Sequence, residues 1–268
     1  MHILSLHYPL PNAAIDNKDI FNAPSLFEYD VIIFHPWGFE QSILNLLKGE
    51  EEFYTASGEK VIQEPSGNNA RNIKEILEQR RNEIEKFLKM DGILITYAVP
   101  EMIISAKEEQ PVPAKTNIFL KIFSNIFSQS SVKNEPNSSD EIFSTSRYSL
   151  FKLDAGIAFA DMIVPGSGFN SMTEDDYNYP NKNMFQDILR NHASKIAYQA
   201  YFNQEIISNI SSFSPLLATV KSESLIAGLI ELPKGRIVFL PNFNQADTDE
   251  AMTEARLLVS DIELFMKK

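Results

Sequence analysis

Chemistry at the end of an α/β strand needs a side chain that attacks, one that moves a proton, and a bend that presents them. The stretch Ile93-Leu94-Ile95-Thr96-Tyr97-Ala98 is where such groups would stand, an apolar run between the stop Asp91-Gly92 and Pro100. What stands near its end is Thr96, Tyr97 and Ala98, with no glycine on either side to permit a strained turn. The sequence has no cysteine, which removes thiolate nucleophiles, thiolate metal sites and disulfides together. Gly-X-Ser-X-Gly does not occur. The nearest glycine–serine element is VPGSGFN, residues 164–170, read either as a loop whose backbone approaches an anion or as a turn leaving a strand. Four histidines, His2, His7, His35 and His192, titrate near neutrality when unperturbed, and none stands at zinc-type spacing to another. No metal and no cofactor is expected. Asp16, Asp19, Asp30, Asp154 and Asp161 could supply carboxylate pairs, without a spacing that brings two together.

Position says more than motif. Ligands of open α/β sheets bind outside the carboxyl ends of the strands. On this sequence those ends carry His7 and Tyr8, then His35, Pro36 and Trp37, then Tyr97, so two histidines and the sole tryptophan gather on one edge. His7, Tyr8, His35, Trp37 and Tyr97 are the candidate ligand-binding residues, offering stacking faces and a few hydrogen-bonding groups. The competing reading is that they seal the top of the sheet beneath the loop 8–28.

The elements that must position them follow from pattern. HILSL (2–6), YDVIIFHP (29–36) and ILITYA (93–98) are short apolar runs without alternation, the mark of strands buried on both faces in a parallel sheet. A helical turn is expected around Asp19–Phe21 and a short helix over Glu40–Leu47; residues 51–68 read as a hairpin or an irregular loop. A long helix from Asn69 shows Ile73, Ile76, Leu77, Ile84, Phe87 and Leu88 on one face. Arg80 falls on that stripe, where its stem can cover apolar surface while its guanidinium reaches water. Strand, helix, strand at this spacing predicts a βαβ crossover. After Tyr148 the expected strands are SLFKL, AGIAFADMIV, PLLATV, SLIAGLIEL and GRIVFLP, the last two joined by a turn at LPKG (232–235). A helix over Asn183–His192 interrupts them, and an acid-started helix closes the chain.

Residues 106–147 break the rhythm as an insertion of polar linkers around AKTNIFLKIFSNIFSQ. Phe119, Ile122, Phe123, Ile126 and Phe127 share one helical stripe there, either packed on the chain's own sheet or docked on a partner. A membrane surface is a poor match, because Lys115, Lys121 and Lys133 are few against a net charge of −12. The same charge argues against a general nucleic-acid binder. The 268 residues suffice for one large α/β domain, and no apolar run reaches the length of a membrane span. A soluble, cytoplasmic protein is the expectation.

Three stretches, YDVIIFHP, RRNEIEKFLKMDGILITYA and PLLATVKSESLIAGLIELPKGRIVFLP, together resemble the class I glutamine amidotransferase-like superfamily. The resemblance spans the chain except residues 106–147. It implies a single domain over 1–268: a three-layer α/β sandwich with a mostly parallel, flavodoxin-like central sheet and a C-terminal hairpin. It does not carry the family's chemistry, since Ile95-Thr96-Tyr97-Ala98-Val99 replaces the cysteine elbow and Asn242-Phe243-Asn244 follows FLP where a histidine would stand. The expected function is therefore non-catalytic: a protein-interaction or regulatory subunit, of a multi-component bacterial system, with a protein partner or a second copy as its contact. The alternative is a small-molecule or nucleotide sensor, or a hydrolase-like enzyme, using the strand-end crevice.

Overall fold

A computed structural model describes residues 1–47, 51–64, 67–108, 141–151, 159–166, 172–181, 184–197, 199–243 and 247–267. Strands β1 (Ile3–Leu6), β2 (Ile15–Lys18) and β3 (Val31–Phe34) come first, followed by helix α1 (Pro36–Leu47). The hairpin of β4 (Glu51–Tyr54) and β5 (Lys60–Glu64) leads into α2 (Asn68–Lys89) and β6 (Ile93–Ala98). Next are β7 (Ile103–Glu108), β8 (Glu141–Ser146), β9 (Ile163–Pro165) and β10 (Tyr177–Asn178), then the short α3 (Gln186–Asn191). The chain finishes with β11 (Ala200–Phe202), β12 (Phe213–Thr219), β13 (Leu225–Glu231), β14 (Arg236–Pro241) and α4 (Thr248–Met266).

Eight strands make the central sheet in the order β10-β12-β13-β14-β6-β3-β1-β2. The five from β14 to β2 are mutually parallel, and β13, β12 and β10 extend the sheet antiparallel. Every residue of β1, β3 and β6 is buried, as their unbroken apolar runs require. Leu4, Leu6, Phe34 and Leu94 face a core closed by Phe39 and Ile43 of α1 and by Ile73, Leu77 and Phe87 of α2. Ile33, Ile93, Ile95 and Tyr97 face a second core closed by Ile188 and Leu189 of α3 and by Leu258 and Ile262 of α4. The β13–β14 hairpin turns at Leu232–Gly235, where Leu232 N–H donates to Gly235 O at 2.8 Å.

Several elements depart from the sequence reading. β2 is absent from it because Ile15 alone of its four residues is buried, so an edge strand of Asp16, Asn17 and Lys18 leaves no apolar pattern. α1 begins at Pro36, four residues earlier than Glu40, because a proline needs no N–H partner in a first helical turn. SLFKL is not a strand over its described part: Tyr148–Phe151 is a turn, with Phe151 N–H on Tyr148 O at 3.0 Å. In AGIAFADMIV, Phe159–Met162 is one helical turn and extended chain starts at Ile163. The segment 106–147 does not begin as a linker either. β7 and β8 pair with each other across it and join β5 and β4 in a four-stranded sheet, order β4-β5-β7-β8. Phe119, Ile122, Phe123, Ile126 and Phe127 lie outside the described residues.

Arg80 is the most instructive departure. Its guanidinium is turned onto the protein instead of into water, and the side chain is 11% exposed. It donates to Ile20 O at 3.0 Å, Pro24 O at 3.1 Å and Ala23 O, and pairs with Glu83 Oε2 at 2.6 Å. Glu83 in turn accepts from Leu26 N–H at 2.7 Å and Ser25 Oγ at 3.1 Å. The irregular loop after β2 turns carbonyls toward α2 with no strand or helix to receive them, and a five-donor fork on the helix does so. Arg80→Met keeps the stem and strands these carbonyls, so it should lower unfolding free energy by about 2–4 kcal/mol in denaturant titration.

Candidate functional site

The carboxyl ends of β1, β3, β6 and β14 converge on one cluster. β1 runs out at Leu6, and His7 takes a left-handed conformation, φ 61°, that turns the chain sharply. Its carbonyl presses on the first turn of α1: a Cβ at Gly38 would sit 1.9 Å from His7 O, so glycine is required there. The ring of His7 is committed on both sides. Nδ1 meets Ser42 Oγ at 2.9 Å, and Nε2 accepts from Ile20 N–H at 3.3 Å. Burial pulls its pKa down to about 4, against the opposing pull of Asp19.

Tyr8, His35 and Tyr97 pack ring against ring, Tyr8 stacked on His35, His35 tilted against Tyr97 and the two tyrosines edge to face. The Tyr8 and His35 rings are 4.5 Å apart, those of His35 and Tyr97 4.9 Å, and those of Tyr8 and Tyr97 5.0 Å. Both tyrosine hydroxyls donate to one buried carboxylate on α4: Tyr97 to Glu254 Oε1 at 2.8 Å and Tyr8 to Oε2 at 3.0 Å. Burial and then the charge of Glu254 raise both phenols well above their ordinary range. His35 is fixed from two sides, Nε2–H donating to Asn242 Oδ1 at 3.0 Å and Nδ1 accepting from Gly38 N–H at 3.4 Å. Asn242 Nδ2 continues the chain to Gln199 Oε1 at 3.3 Å. Burial lowers the His35 pKa to about 4, so at neutral pH it is a neutral imidazole.

Trp37 stands at the edge of this group, half-buried under Arg147, whose guanidinium carbon is 5.6 Å from the ring centroid. Arg147 follows β8 directly and forms a buried ion pair with Glu40 of α1 at 2.5 Å. The end of β6 is closed from the same side. Tyr148 Oη donates to Tyr97 O at 2.7 Å and accepts from Val99 N–H at 2.9 Å.

Tyr8, His35, Trp37 and Tyr97 are thus brought into ring contact, while the ring of His7 packs on Phe21, Phe34 and Phe39, and the polar atoms of His7, Tyr8, His35 and Tyr97 are engaged by Ser42, Ile20, Glu254, Asn242 and Gly38. The position matching a nucleophile elbow is straight. Leu240 and Pro241 of β14 stay paired with Tyr97 and Ala98, and no residue from Thr96 to Val99 has a positive φ. Thr96 faces away from the cluster, into the other core, and its buried Oγ1 has no partner. Among the described residues no three His, Asp or Glu side chains group as metal ligands, and no helix is long and apolar enough to cross a membrane. Two cavities lined by described residues lie elsewhere, beside β10 and β12 and at the amino ends of the parallel strands.

Sequence reasoning missed Glu254, Asn242, Arg147 and Glu40. One signal was legible. Glu254 sits on the stripe Ala251-Ala255-Leu258-Ile262 of α4, where a carboxylate among apolar positions demands a buried donor. No protein-family model matches this chain, and no curated protein matches it either.

Burial holds three histidines, His7, His35 and His192, below their ordinary pKa, and this fixes a direction for pH dependence. A group whose folded pKa lies below its unfolded value near 6.5 leaves stability intact above that value and removes it as pH falls toward 4. Asp261, raised to about 6 chiefly by burial, works the other way, losing stability as pH rises from its unfolded value to 6. With three lowered histidines against two raised carboxyls, Asp261 and Glu101, the protein should weaken from pH 7 to pH 5. His35→Gln keeps a donor for Asn242 and should reduce that loss by about 2 kcal/mol in urea titrations at the two pH values.

Proposed function

We propose that this chain is a non-catalytic α/β domain that works through contacts with other proteins, as an interaction or regulatory subunit of a larger system. It is read as a flavodoxin-like three-layer sandwich of the glutamine amidotransferase-like kind that lacks the attacking residue. Two observations favour the scaffold. Taken in chain order, the parallel strands lie second, first, third, fourth, fifth across the sheet, the flavodoxin-like arrangement. Helices cover both of its faces.

One observation carries the absence of chemistry. Where such a fold presents its nucleophile, β6 continues in register with β14, the aliphatic hydroxyl Thr96 Oγ1 is buried without a base or any other partner, and the Tyr97 phenol is held protonated against Glu254. His35, which packs against Tyr97, has both nitrogens engaged. A sensor at the same edge is disfavoured because the rings that would stack on a ligand are packed against one another.

Two measurements test this. Thr96→Val replaces an unsatisfied hydroxyl with a methyl, so it should leave the fold intact and raise stability by about 1 kcal/mol. A fluorophosphonate probe should not label the purified protein; labelling at Thr96, or any turnover that Thr96→Val abolishes, refutes the non-catalytic reading. The interaction role is tested by size-exclusion chromatography with light scattering, where deleting residues 112–130 should abolish self-association or partner capture. Unchanged assembly would remove that segment from the interface.

A further inference from the structure

The amino ends of the parallel strands are built unlike the carboxyl ends. Asp30 just before β3 and Arg236 at the start of β14 line a cavity of about 310 Å³ whose mouth is apolar. Phe27 is 45% exposed there, Met90 68% and Met266 40%. Apolar side chains of this size, gathered at one opening, mark a surface that something covers. Tyr29 and Phe87 bring the lining to three aromatic rings beside two methionines and one arginine, with no lysine and no glutamate. That is the composition of the centre of a protein–protein contact, where aromatics, methionine and arginine are enriched and lysine and glutamate depleted.

The lining carries no net charge. Asp30 Oδ2 accepts from His2 N–H at 2.7 Å and faces the Met1 ammonium at 3.7 Å. One carboxylate, Asp91, and one guanidinium, Arg236, remain. Asp91 is exposed, and its carboxylate meets no donor among the described residues. Arg236 lies 4.8 Å from the Phe265 ring and gives one N–H to Phe265 O at 3.5 Å, the outer limit of a hydrogen bond. A guanidinium has five donors, so most of this fork is unused among the described residues.

These charges decide what can cover the face. A chain of net charge −12 repels its own copy over most of its surface, and two copies meet most readily where the charge cancels. A twofold contact also needs a patch that complements itself, so that whatever one copy offers, the other receives. An unused carboxylate and an unused guanidinium around one apolar mouth satisfy that condition.

We infer that this face is the contact between two copies of the chain, related by a twofold axis. The side chains of Phe27, Met90 and Met266 cover one another across it, and Asp91 of each copy faces Arg236 of the other. The inference rests on the interaction role proposed above, with the second copy as the partner. It places self-association here and leaves residues 112–130 to other partners.

Sedimentation velocity of the full chain tests it. The wild type should be a dimer at about 50 µM, and Met90→Asp, at an exposed position, should be monomeric there with an unchanged melting temperature. Asp91→Arg or Arg236→Asp sets like charges opposite each other twice, so either should weaken the dimer about a hundredfold. Mixed in equal amounts, these two variants should dimerise again, because both crossed pairs are then opposite in sign; a loss of fold would give no such recovery. A monomeric wild type, a dimer that withstands either reversal, or a mixture that stays monomeric overturns the assignment. A dimer lost on deleting residues 112–130 but kept in Met90→Asp also overturns it, while the proposed interaction role stands.

Discussion

A carboxylate removed from water must be met by donors, and the position of Glu254 imposes that demand on the whole upper half of the sheet. Its oxygens are reached by hydroxyls from the ends of two different strands, Tyr8 after β1 and Tyr97 in β6. This fixes where α4 lies on the sheet and how far it can slide. It also traps His35 between the two rings, so the imidazole is desolvated, neutral and obliged to give its Nε2–H to Asn242 at the end of β14. Four strand ends and one helix are cross-linked by these groups.

A second buried tie joins the four-stranded sheet to this arrangement. Arg147 leaves β8 and pairs with Glu40 one turn into α1, while its guanidinium covers Trp37 and donates to Pro100 O. Buried ion pairs add little net stability compared with apolar packing, but removing one partner strands the other charge, so such a pair selects one docking geometry. Glu101 fastens the same corner by accepting from the backbone N–H of Arg147 at 2.9 Å and from Ser146 Oγ at 3.1 Å.

The two ends of the central sheet are consequently unlike. At the carboxyl ends, polar atoms and aromatic faces are consumed internally. At the amino ends, Phe27, Met90 and Met266 face outward around two carboxylates. The difference follows from which residues follow each strand: aromatic and imidazole rings that can satisfy one another after β1, β3 and β6, and short acidic turns before β3 and β6.

The central strands were legible in the sequence because VIIF and ILITYA, buried on both faces, must be apolar throughout, and the stripe of α2 because one face packs on them. The gathering of His7, Tyr8, His35, Trp37 and Tyr97 was legible too, since strand direction alone brings those ends to one edge. What they do there was not. Tyr97 and Glu254 are 157 residues apart and His35 and Asn242 are 207 apart, so no local pattern couples them. β2 and the Arg80 clip were hidden for a related reason: a polar edge strand has no periodicity, and a guanidinium on a helix face reads as solvated until the loop carbonyls opposite it are placed. Sequence determined which residues leave water and where the strands run. Tertiary structure decided which polar groups meet, because hydrogen-bond partners are set by distance in space and a chain of residue types does not encode that distance locally.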